Sequence, residues 1–514
     1  MDKFTLEIIQ DSLIAAGEEM FKTLERTSMS PIIYESLDYA VGITDSEGEL
    51  LAQGNGVTAF LAALDSVVKA TLEKYDNNNP LKEGDIVIAN TPYAGGGTHL
   101  SDVSVVYPVF YEGEIVAFTV NKAHWTELGG TYPGSVSTIA TEIYQEGLHF
   151  PFVKIKSGGV LNTEIVDMIK GNVRLPDSTS GDLFAGVAAA EVGAKRVLSI
   201  IKKYGLSTYK KAKENFLDYG ERMCLNALKG IPNGVYEGES YIEDNGFGEG
   251  PYPIKAKITI TDTAFIADFN GSHPQVKGAT NLSFNGLVTG CRSLFKAITT
   301  PQMDANGGAF RPMKVCCDSG SIVSAEAPSA VSVYYEVMIT SIDLLWKILA
   351  PLIPERLPAG HLRSVCATFI SGIHPDTNNF YIQAEPLAGG WGASALHDGN
   401  RGQLSCGSGE SYNIPVEIKE MRYGIQVEQY AFHNEGGGYG EFQGGNGQYI
   451  DYKILSEDAH ITAAFLGAVN KTWGMKNGHD GSLNYFKIIR MDGTEERHSL
   501  GTKIVLKNGP IGGC

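Results

Sequence analysis

The spacing of hydrophobic positions changes along the chain and predicts long helices first and strands afterwards. Apolar residues at helical spacing indicate a helix over residues 5–27, and an alanine-rich pattern continues the helical signal over 182–228. Beyond residue 230 the pattern alternates, with strands predicted over 235–242 and 254–269. We therefore predict an α+β, multi-domain mixed fold, with long helices in the N-terminal part and predominantly antiparallel sheets in the middle and C-terminal parts.

A chain of 514 residues is long enough for two or three domains. We expect the boundaries where the hydrophobic pattern changes from helical spacing to strand-like alternation. The first boundary falls near the turn Ile231-Pro232-Asn233-Gly234, where helices give way to strands. The prediction is an N-terminal α/β domain over 1–230, a mixed β-rich domain over 231–355 and a glycine-rich, β-rich domain over 356–514.

A predicted hairpin in the N-terminal part brings polar residues together. Two runs of β-branched and aromatic residues flank the turn Tyr111-Glu112-Gly113-Glu114, and a loop made of its two central residues would pair its two end residues. Counting back along the ladder places Asp102 opposite Ala123 and next to His124, to within a residue or two.

His99 stands three residues before Asp102, and the glycines before it allow a turn that puts both side chains on one side. Two imidazoles and one carboxylate form an ordinary ligand set for zinc or another divalent transition metal. His99, Asp102 and His124 are therefore candidate metal ligands. The alternative is a turn histidine and a strand-end histidine that lie near each other without a metal.

Composition excludes several classes of protein. Asp and Glu outnumber Lys and Arg by 59 to 41, and the net charge of -18 disfavours nucleic acid and anionic membranes as partners. We expect neither a membrane span nor a signal peptide, and therefore a cytoplasmic protein. The seven cysteines, Cys514 among them, show no CxxC pair and are predicted to be reduced core thiols. The glycine clusters lack the spacing of a phosphate loop, so this chain is not expected to bind ATP by itself.

Many stretches resemble, in the right order, the hydantoinase B/oxoprolinase family, which includes the metal-bearing subunits of acetone and acetophenone carboxylases. The resemblance covers nearly the whole chain. The segments that carry it are Glu35 with Asp38-Tyr39, Asn90-Thr91-Pro92-Tyr93, Gly96-Gly97-Thr98-His99-Leu100-Ser101-Asp102, Ala123-His124, Gly129-Gly130, Pro133-Gly134-Ser135, Glu142-Ile143-Tyr144-Gln145-Glu146-Gly147-Leu148, Asn172-Val173-Arg174, Gly181-Asp182, Asp268-Phe269-Asn270-Gly271-Ser272, Asn306-Gly307-Gly308-Ala309-Phe310-Arg311-Pro312 and Asn413-Ile414-Pro415-Val416-Glu417.

The resemblance implies one half of a hetero-oligomeric enzyme. Its partner would be a hydantoinase A-type subunit of actin/hexokinase-like fold, which binds ATP and phosphorylates a carbonyl oxygen of the substrate. In the hydrolytic branch of the family, water then opens a lactam or cyclic imide; in the carboxylase branch, a ketone enolate captures carbon dioxide. Carboxylase subunits of this type tend to be longer than 514 residues, which favours hydrolysis of a cyclic amide. A ketone carboxylase and a non-catalytic scaffold for the ATPase are the alternatives.

The metal ligands implied by the resemblance fall on His99, Asp102 and His124, with Asp38 as a candidate fourth ligand or supporting residue. Zinc is the expected metal, and manganese or iron are the alternatives. Asp38 and Glu127 are the candidate catalytic carboxylates: Glu127 would act as a general base or orient His124. Each of these carboxylates has a plain alternative as a solvated side chain.

Four further residues are predicted to contact the substrate. Arg174 and Arg311 are candidates for clamping its phosphate, with structural ion pairs as the alternative. Many relatives carry histidines where Phe60 and Trp125 stand, and an acidic residue where Thr91 stands. The resemblance then implies a more apolar pocket lined by Phe60 and Trp125, unless both rings simply pack in the core.

Overall fold

The structure is a computed structural model that describes residues 3–61, 63–434 and 436–511, so Cys514 lies outside the described residues. The helices are α1 (Lys3–Thr27), α2 (Pro31–Tyr34), α3 (Thr58–Leu61), α4 (Leu64–Lys74), α5 (Thr163–Asn172), α6 (Pro176–Tyr204), α7 (Leu206–Leu228), α8 (Phe284–Thr299), α9 (Tyr334–Leu349) and α10 (Val416–Arg422). In the described parts of the chain, every helix falls short of the length or the apolarity that crossing a membrane requires.

The strands build three larger sheets and one short hairpin. They are β1 (Tyr39–Asp45), β2 (Leu50–Gln53), β3 (Ile86–Ala89), β4 (Asp102–Tyr111), β5 (Glu114–His124), β6 (Val153–Ser157), β7 (Val160–Leu161), β8 (Gly234–Ile242), β9 (Tyr252–Thr261), β10 (Ala264–Asp268), β11 (Met313–Cys316), β12 (Ala367–Ile373), β13 (Phe380–Glu385), β14 (Ile425–Phe432), β15 (Gln448–Ala464), β16 (Phe486–Ile489), β17 (Glu495–His498) and β18 (Leu500–Ile511).

The sheets follow one another along the chain. The first has the order β2-β1-β5-β4-β3-β6-β7, the second β11-β10-β9-β8, and the third β13-β12-β15-β14, with β18 also paired to β15. Among the described strands, all pairings are antiparallel except that of β10 with β11. The predicted α+β class, with long helices early and antiparallel sheets later, is confirmed.

The long helices cover the first sheet through close backbone contacts. On α6, the carbonyl oxygen of Gly186 accepts from Asn121 at 2.7 Å, and that of Ala190 accepts from Thr119 at 2.8 Å. Gly193 lets α1 approach, because a Cβ there would lie 2.2 Å from the sulfur of Met20. These contacts fix the helical layer against β5, the strand that ends in His124.

The predicted helix over 5–27 is confirmed as α1, whereas the helical pattern over 182–228 is divided. Gly205, with φ of 83°, separates α6 from α7. This backbone conformation is one that glycine adopts without steric cost, and it cannot continue a right-handed helix. The strand predicted over 254–269 is likewise divided, into β9 and β10.

The hairpin register was predicted with an error of one residue. Tyr111 pairs with Glu114 as expected, but a β-bulge between Val109 and Phe110 shifts the ladder, so Asp102 faces His124 rather than Ala123. A bulge adds one unpaired residue to one strand, which is the size of the error. The shift places the two candidate ligands directly opposite each other.

Two hydrophobic cores hold the molecule together. The larger runs from the N-terminal helices through the second sheet to α9, and the smaller lies in the third sheet between Leu362 and Leu506. The predicted domain limits stay a prediction. The described cysteines are free thiols: Cys224, Cys291 and Cys366 are buried, and Cys316, Cys317 and Cys406 are half-buried.

Candidate metal centre

The three predicted ligands converge at the end of the β4–β5 hairpin. His99 Nε2 lies 3.0 Å from Asp102 Oδ1 and 3.2 Å from His124 Nδ1, and the distance between the last two atoms is 3.3 Å. All three side chains are buried, with exposures of 3%, 0% and 5%. Sequence reasoning brought these residues together correctly, although the turn and the bulge that align them became visible only in the structure.

The turn before Asp102 depends on tight backbone contacts. The carbonyl oxygen of Thr91 accepts from the backbone N–H groups of Gly96 and Gly97, each at 3.0 Å. A Cβ at Gly97 would lie 2.2 Å from the carbonyl oxygen of Asn90, so only glycine fits there. The Asn90 amide donates to the Leu100 carbonyl at 2.8 Å, which ties the turn that carries His99 to β3.

Residues from the loop before α9 orient the cluster from the other side. His99 Nδ1 lies 2.9 Å from the carbonyl oxygen of Ser332. Because a carbonyl oxygen only accepts, Nδ1 carries the proton and Nε2 faces Asp102 and His124. Glu146 fixes this loop, since its carboxylate accepts from the N–H groups of Val331 at 2.6 Å and Ser332 at 2.8 Å.

The second oxygen of Asp102 is held separately. Tyr334 donates to Oδ2 at 3.0 Å, and the Thr98 hydroxyl donates to the same atom. Oδ1 is left facing the two histidines. Hydrogen bonds of this kind fix the direction of a metal-binding carboxylate.

The electrostatics of the cluster favour a cation. Burial alone would raise the pKa of Asp102, but His99 and His124 outweigh burial and hold it well below its usual range. Burial lowers the pKa of His99, but Asp102 outweighs burial and raises it, so a proton and a metal ion compete for His99 Nε2. Zn–N bonds of about 2.0–2.1 Å separate the ligand atoms of a tetrahedral site by about 3.3–3.4 Å. The observed separations of 3.0 to 3.3 Å therefore fit zinc or a similar divalent ion.

Asp38 stands beside the cluster without joining it. Its carbonyl oxygen accepts from the His124 N–H at 3.0 Å, and its side chain lines the same cavity as the three ligands. Burial raises the pKa of Asp38 to about 6, against the opposing effect of His124. The compact set of three ligand atoms does not include it.

The cluster opens onto a small cavity of about 80 Å³ with mostly apolar walls. Phe60, one of the predicted pocket residues, lines it, and so do Met338 and Ile339 from α9 and Phe369 from β12. The Phe369 ring lies 6.2 Å from that of His124. The predicted apolar character is present, but much of it comes from the second half of the chain.

Glu127 and Arg174 form a structural pair outside this cavity lining. The Arg174 Nη1 donates to Glu127 Oε1 at 2.7 Å, and Glu127 also accepts from the N–H groups of Gly129 at 2.6 Å and Gly134 at 2.9 Å. Both carboxylate oxygens are therefore occupied in shaping the loop that follows His124.

Arg311 and Trp125 also lie away from the cavity lining. Arg311 is paired with Asp218 at 3.2 Å and Glu221 at 3.0 Å on α7. The Trp125 ring is buried against Phe150, at 6.1 Å between centroids. These contacts match the plain roles stated as alternatives, and a part of either residue in binding substrate stays a prediction.

Sequence reasoning missed the residues that complete the centre, namely Ser332, Tyr334 and Tyr335. They lie more than 200 residues after the ligands and belong to a loop and a helix start with no recognisable motif. Only correlated substitutions at these positions and at His99 and Asp102 in related sequences could have indicated them.

A larger cavity of about 620 Å³ lies among the glycine-rich turns of the C-terminal part. The linings of the two cavities include residues adjacent in the chain: Val365 and Pro386 line the smaller cavity, and Cys366 and Leu387 line the larger. Among the described residues, the only compact ligand set is that of His99, Asp102 and His124. The candidate metal site therefore belongs to the smaller cavity.

A mixed α+β fold with a buried His-Asp-His cluster at an apolar cavity defines a protein with a candidate divalent metal site. The comparison with known families is more specific. The family model described as hydantoinase B/oxoprolinase matches residues 2–510, and the chain belongs to this family.

Similar proteins include enzymes with both sequence and structure known. The caprolactamase subunit beta of Pseudomonas jessenii is 30% identical over 99% of this chain and 88% of its own length. The crystal structure of ATP-dependent caprolactamase from the same organism superposes with a TM-score of 0.92 at 27% identity, covering 99% of this chain and 89% of that one. Acetone carboxylase, in its nucleotide-free structure, shares the fold with a TM-score of 0.90 at 17% identity. The match covers 99% of this chain and 75% of that one.

Proposed function

We propose that this chain is the metal-bearing subunit of an ATP-dependent cyclic amide hydrolase. The observation that carries the proposal is the set of three ligand atoms, His99 Nε2, Asp102 Oδ1 and His124 Nδ1, converging within 3.3 Å of one another at the cavity. Family membership and the likeness to a caprolactamase support the hydrolytic reaction.

In the proposed complex, the two reaction steps take place on two different chains. A hydantoinase A-type partner of actin/hexokinase-like fold binds ATP and phosphorylates the carbonyl oxygen of a lactam or cyclic imide. The name of the relative, a subunit beta, supports a hetero-oligomer. Water then adds to the activated ring carbon in this chain, and the C–N bond breaks as the ring nitrogen takes a proton. A second water hydrolyses the acyl phosphate that remains, giving a carboxylate and inorganic phosphate.

The residues of this chain hold the reacting groups and exclude other water. Zinc is the proposed metal, with manganese or iron as alternatives; when bound, a divalent ion lowers the pKa of its water and polarises oxygen. Asp38 is the proposed proton acceptor or additional ligand, since it lines the cavity beside the cluster and its carbonyl oxygen accepts from the His124 N–H. Glu127 and Arg174 are proposed to position the loop after His124.

The test compares three variants of the full chain, assembled with its ATPase partner. His99→Ala and His124→Ala should lose bound metal by elemental analysis and lose lactam-dependent ATP hydrolysis, while the assembly stays intact. His397→Ala, at an exposed histidine, is the control and should keep both. Unchanged turnover in the two ligand variants would contradict the proposed function.

The carboxylase alternative has a distinct signature. Acetone carboxylase shares the fold, and a ketone carboxylase would consume a ketone in a bicarbonate-dependent manner. Ketone consumption without any lactam hydrolysis by the same complex would replace the hydrolase proposal.

A further inference from the structure

Lys122 is a buried lysine on the same face of β5 as His124. Side chains alternate along a strand, so Lys122 and His124 project to one side of the sheet, whereas Asn121 projects to the other and binds α6. In the register of the hairpin, Asp102 faces His124, and Ser104 faces Lys122. Lys122 therefore occupies the row of side chains directly next to the row that holds two of the metal ligands.

The ammonium group of Lys122 has no hydrogen-bond partner among the described residues, although this lysine is 0% exposed. Its neighbours across the sheet are small, Ala40 on β1 and Ser104 on β4, and the Ser104 hydroxyl donates to the Gly96 carbonyl. The Phe60 ring, whose centroid lies 5.9 Å from Nζ, offers only a weak cation–π contact. An unpaired buried charge is unfavourable for folding, so this group is a candidate for binding a ligand.

Two observations connect this ammonium group to the metal cavity. Phe60 lines the cavity, so Lys122 Nζ lies within one side chain of the lining. Lys122 is also close enough to Asp102 for their opposite charges to attract each other. Both oxygens of Asp102 lie within hydrogen-bonding distance of other side chains. The ammonium group therefore keeps its capacity to donate hydrogen bonds to a ligand.

We propose that Lys122 binds the phosphoryl group of the activated substrate, so that the centre consists of a metal site and an anion site side by side. The inference rests on the proposed function and deepens it, because in that function the substrate arrives with a phosphorylated carbonyl oxygen. The flexible stem of a lysine allows its Nζ to turn towards an anion that enters beside Phe60. An ammonium group of this kind is an ordinary ligand for phosphate.

The balance of charges at the centre favours this assignment. A divalent ion would be offset by the carboxylates of Asp38 and Asp102. Glu385, the third acid of the described lining, is already paired with the buried Lys419 at 2.8 Å. A phosphoryl group adds a charge of about −1.5 to −2 near neutral pH. Lys122 supplies a positive charge next to the metal site that offsets part of this addition.

The two arginines considered as phosphate ligands have acidic partners. Arg174 is paired with Glu127 at 2.7 Å, and Arg311 is paired with Glu221 at 3.0 Å. In the part of the chain that the structure describes, no Lys or Arg belongs to the cavity lining itself. Lys122, one side chain behind the lining and without a hydrogen-bond partner, is the cation best placed to receive the phosphoryl group.

Inorganic phosphate tests the anion site without requiring turnover. Its binding to the metal-loaded full chain is measured by calorimetry for the unmodified protein, Lys122→Met and Lys213→Met. Methionine keeps an unbranched side chain and removes the charge. Lys213 is the matched control, because it is paired at 2.9 Å with Asp45, the last residue of β1, whereas the metal centre lies at the first.

The dissociation constant for phosphate should rise about 10–100-fold in Lys122→Met, since a charged hydrogen-bond donor is lost, and should stay unchanged in Lys213→Met. The metal ion contributes equally to all three proteins, so the difference reports on Lys122. An unchanged constant in Lys122→Met, or no phosphate binding by the unmodified protein, would overturn the inference.

Metal content and stability separate phosphate binding from a structural role of Lys122. Lys122→Met removes an unpaired buried charge, so it should keep its metal and should raise the urea midpoint of unfolding. Lys213→Met leaves the buried Asp45 without its cation and should lower that midpoint. Loss of metal or a lower midpoint in Lys122→Met would overturn the inference, because Lys122 would then support Asp102 or the fold.

Turnover in the complex with the ATPase distinguishes a phosphorylated substrate from free phosphate. Lys122→Met should lower kcat/KM for a lactam by about tenfold or more, and Lys213→Met should not. Unchanged lactam turnover with weaker phosphate binding would assign the anion site to free phosphate; it would overturn the inference and leave the hydrolase intact. If the unmodified complex opens no cyclic amide, the proposed function fails, whatever the two variants show in phosphate binding.

Discussion

Each residue of the metal centre is held by more than one contact, and Asp102 shows this most clearly. One oxygen of Asp102 faces His99 and His124, and the other accepts from Tyr334 and Thr98. The division fixes which oxygen is available to a metal ion. A carboxylate without such support could rotate and lose the geometry.

Replacement of Tyr334 by Phe should weaken metal binding. The change removes one hydrogen bond to Asp102 Oδ2 and leaves the ring in place. We expect metal affinity to fall by about 10–100-fold, measured by competition with a chelator. Tyr209→Phe is the matched control, because that hydroxyl is also buried but has no hydrogen-bond partner in the described structure. If Tyr334→Phe and Tyr209→Phe lowered metal affinity equally, a specific role of the Tyr334 hydroxyl in metal binding would be excluded.

At the scale of elements, the centre is built by the turn over residues 96–101 and the hairpin β4–β5. The bulge between Val109 and Phe110 brings Asp102 opposite His124, and the glycines of the turn bring His99 to the same side. The loop after β5 is shaped by the Glu127–Arg174 pair.

Gly97→Ala should distort the turn that carries His99. The added Cβ would lie 2.2 Å from the carbonyl oxygen of Asn90, so the backbone must move. We expect a loss of about 1–3 kcal/mol in the free energy of unfolding, together with weaker metal binding. Gly171→Ala in α5 is the control, since an added Cβ there meets nothing within 4 Å and alanine favours helix. Retention of full metal affinity by Gly97→Ala would show that the turn tolerates the shift.

Arg174→Met should destabilise the loop after His124. The change leaves the Glu127 carboxylate, which is 0% exposed, without its cation. A loss of about 1–3 kcal/mol in unfolding free energy is expected, measured by chemical denaturation. Arg196→Met breaks the exposed pair with Glu19 and should cost no more than about 1 kcal/mol. A large loss of turnover with unchanged stability would instead favour a direct catalytic role for Arg174 or Glu127.

At the scale of the whole molecule, α9 connects the two hydrophobic cores. The buried Glu336 accepts from Ser364 at 2.9 Å, from the Val365 N–H at 3.0 Å and from the Leu466 N–H at 3.2 Å. The neighbouring Cys366 and Phe465 belong to the smaller core, whereas α9 belongs to the larger. Glu336 therefore joins the two cores beside the metal cavity.

This connection should make stability depend on pH. Burial raises the pKa of Glu336 from its ordinary 4.5 to about 8, against the opposing hydrogen bonds. The folded state then keeps a proton that the unfolded chain releases. The contribution of the protonated Glu336 to the free energy of unfolding is complete below the pKa that its carboxyl has in the unfolded chain. This contribution is lost as pH rises through the pKa of the same carboxyl in the folded state. Between about pH 5 and about pH 8, the unfolding free energy of the wild type should fall more steeply than that of Glu336→Gln. Parallel profiles in urea denaturation would contradict this assignment.

Much of the N-terminal fold and the ligand set could be predicted from local sequence. The apolar spacing of α1 and the hairpin turn at Glu112-Gly113 are local signals, and His99, Asp102 and His124 lie within a segment of 26 residues. The break at Gly205 and the bulge in the hairpin were missed, because hydrophobic periodicity shows neither a single residue of positive φ nor one extra residue in a strand. Arg174 and Arg311 were predicted to clamp phosphate or to form structural ion pairs; the structure shows the ion pairs, and contact with phosphate stays a prediction.

The sequence by itself determined the elements, the family and the three converging ligands, because periodicity and short motifs act over a few residues. Only the tertiary structure decided what surrounds those ligands. Ser332 and Tyr334 orient His99 and Asp102 from more than 200 residues away, and Met338 and Phe369 complete an apolar cavity without a lining cation. Contacts between distant segments set the protonation, orientation and charge of the site, and local sequence contains no signal for them.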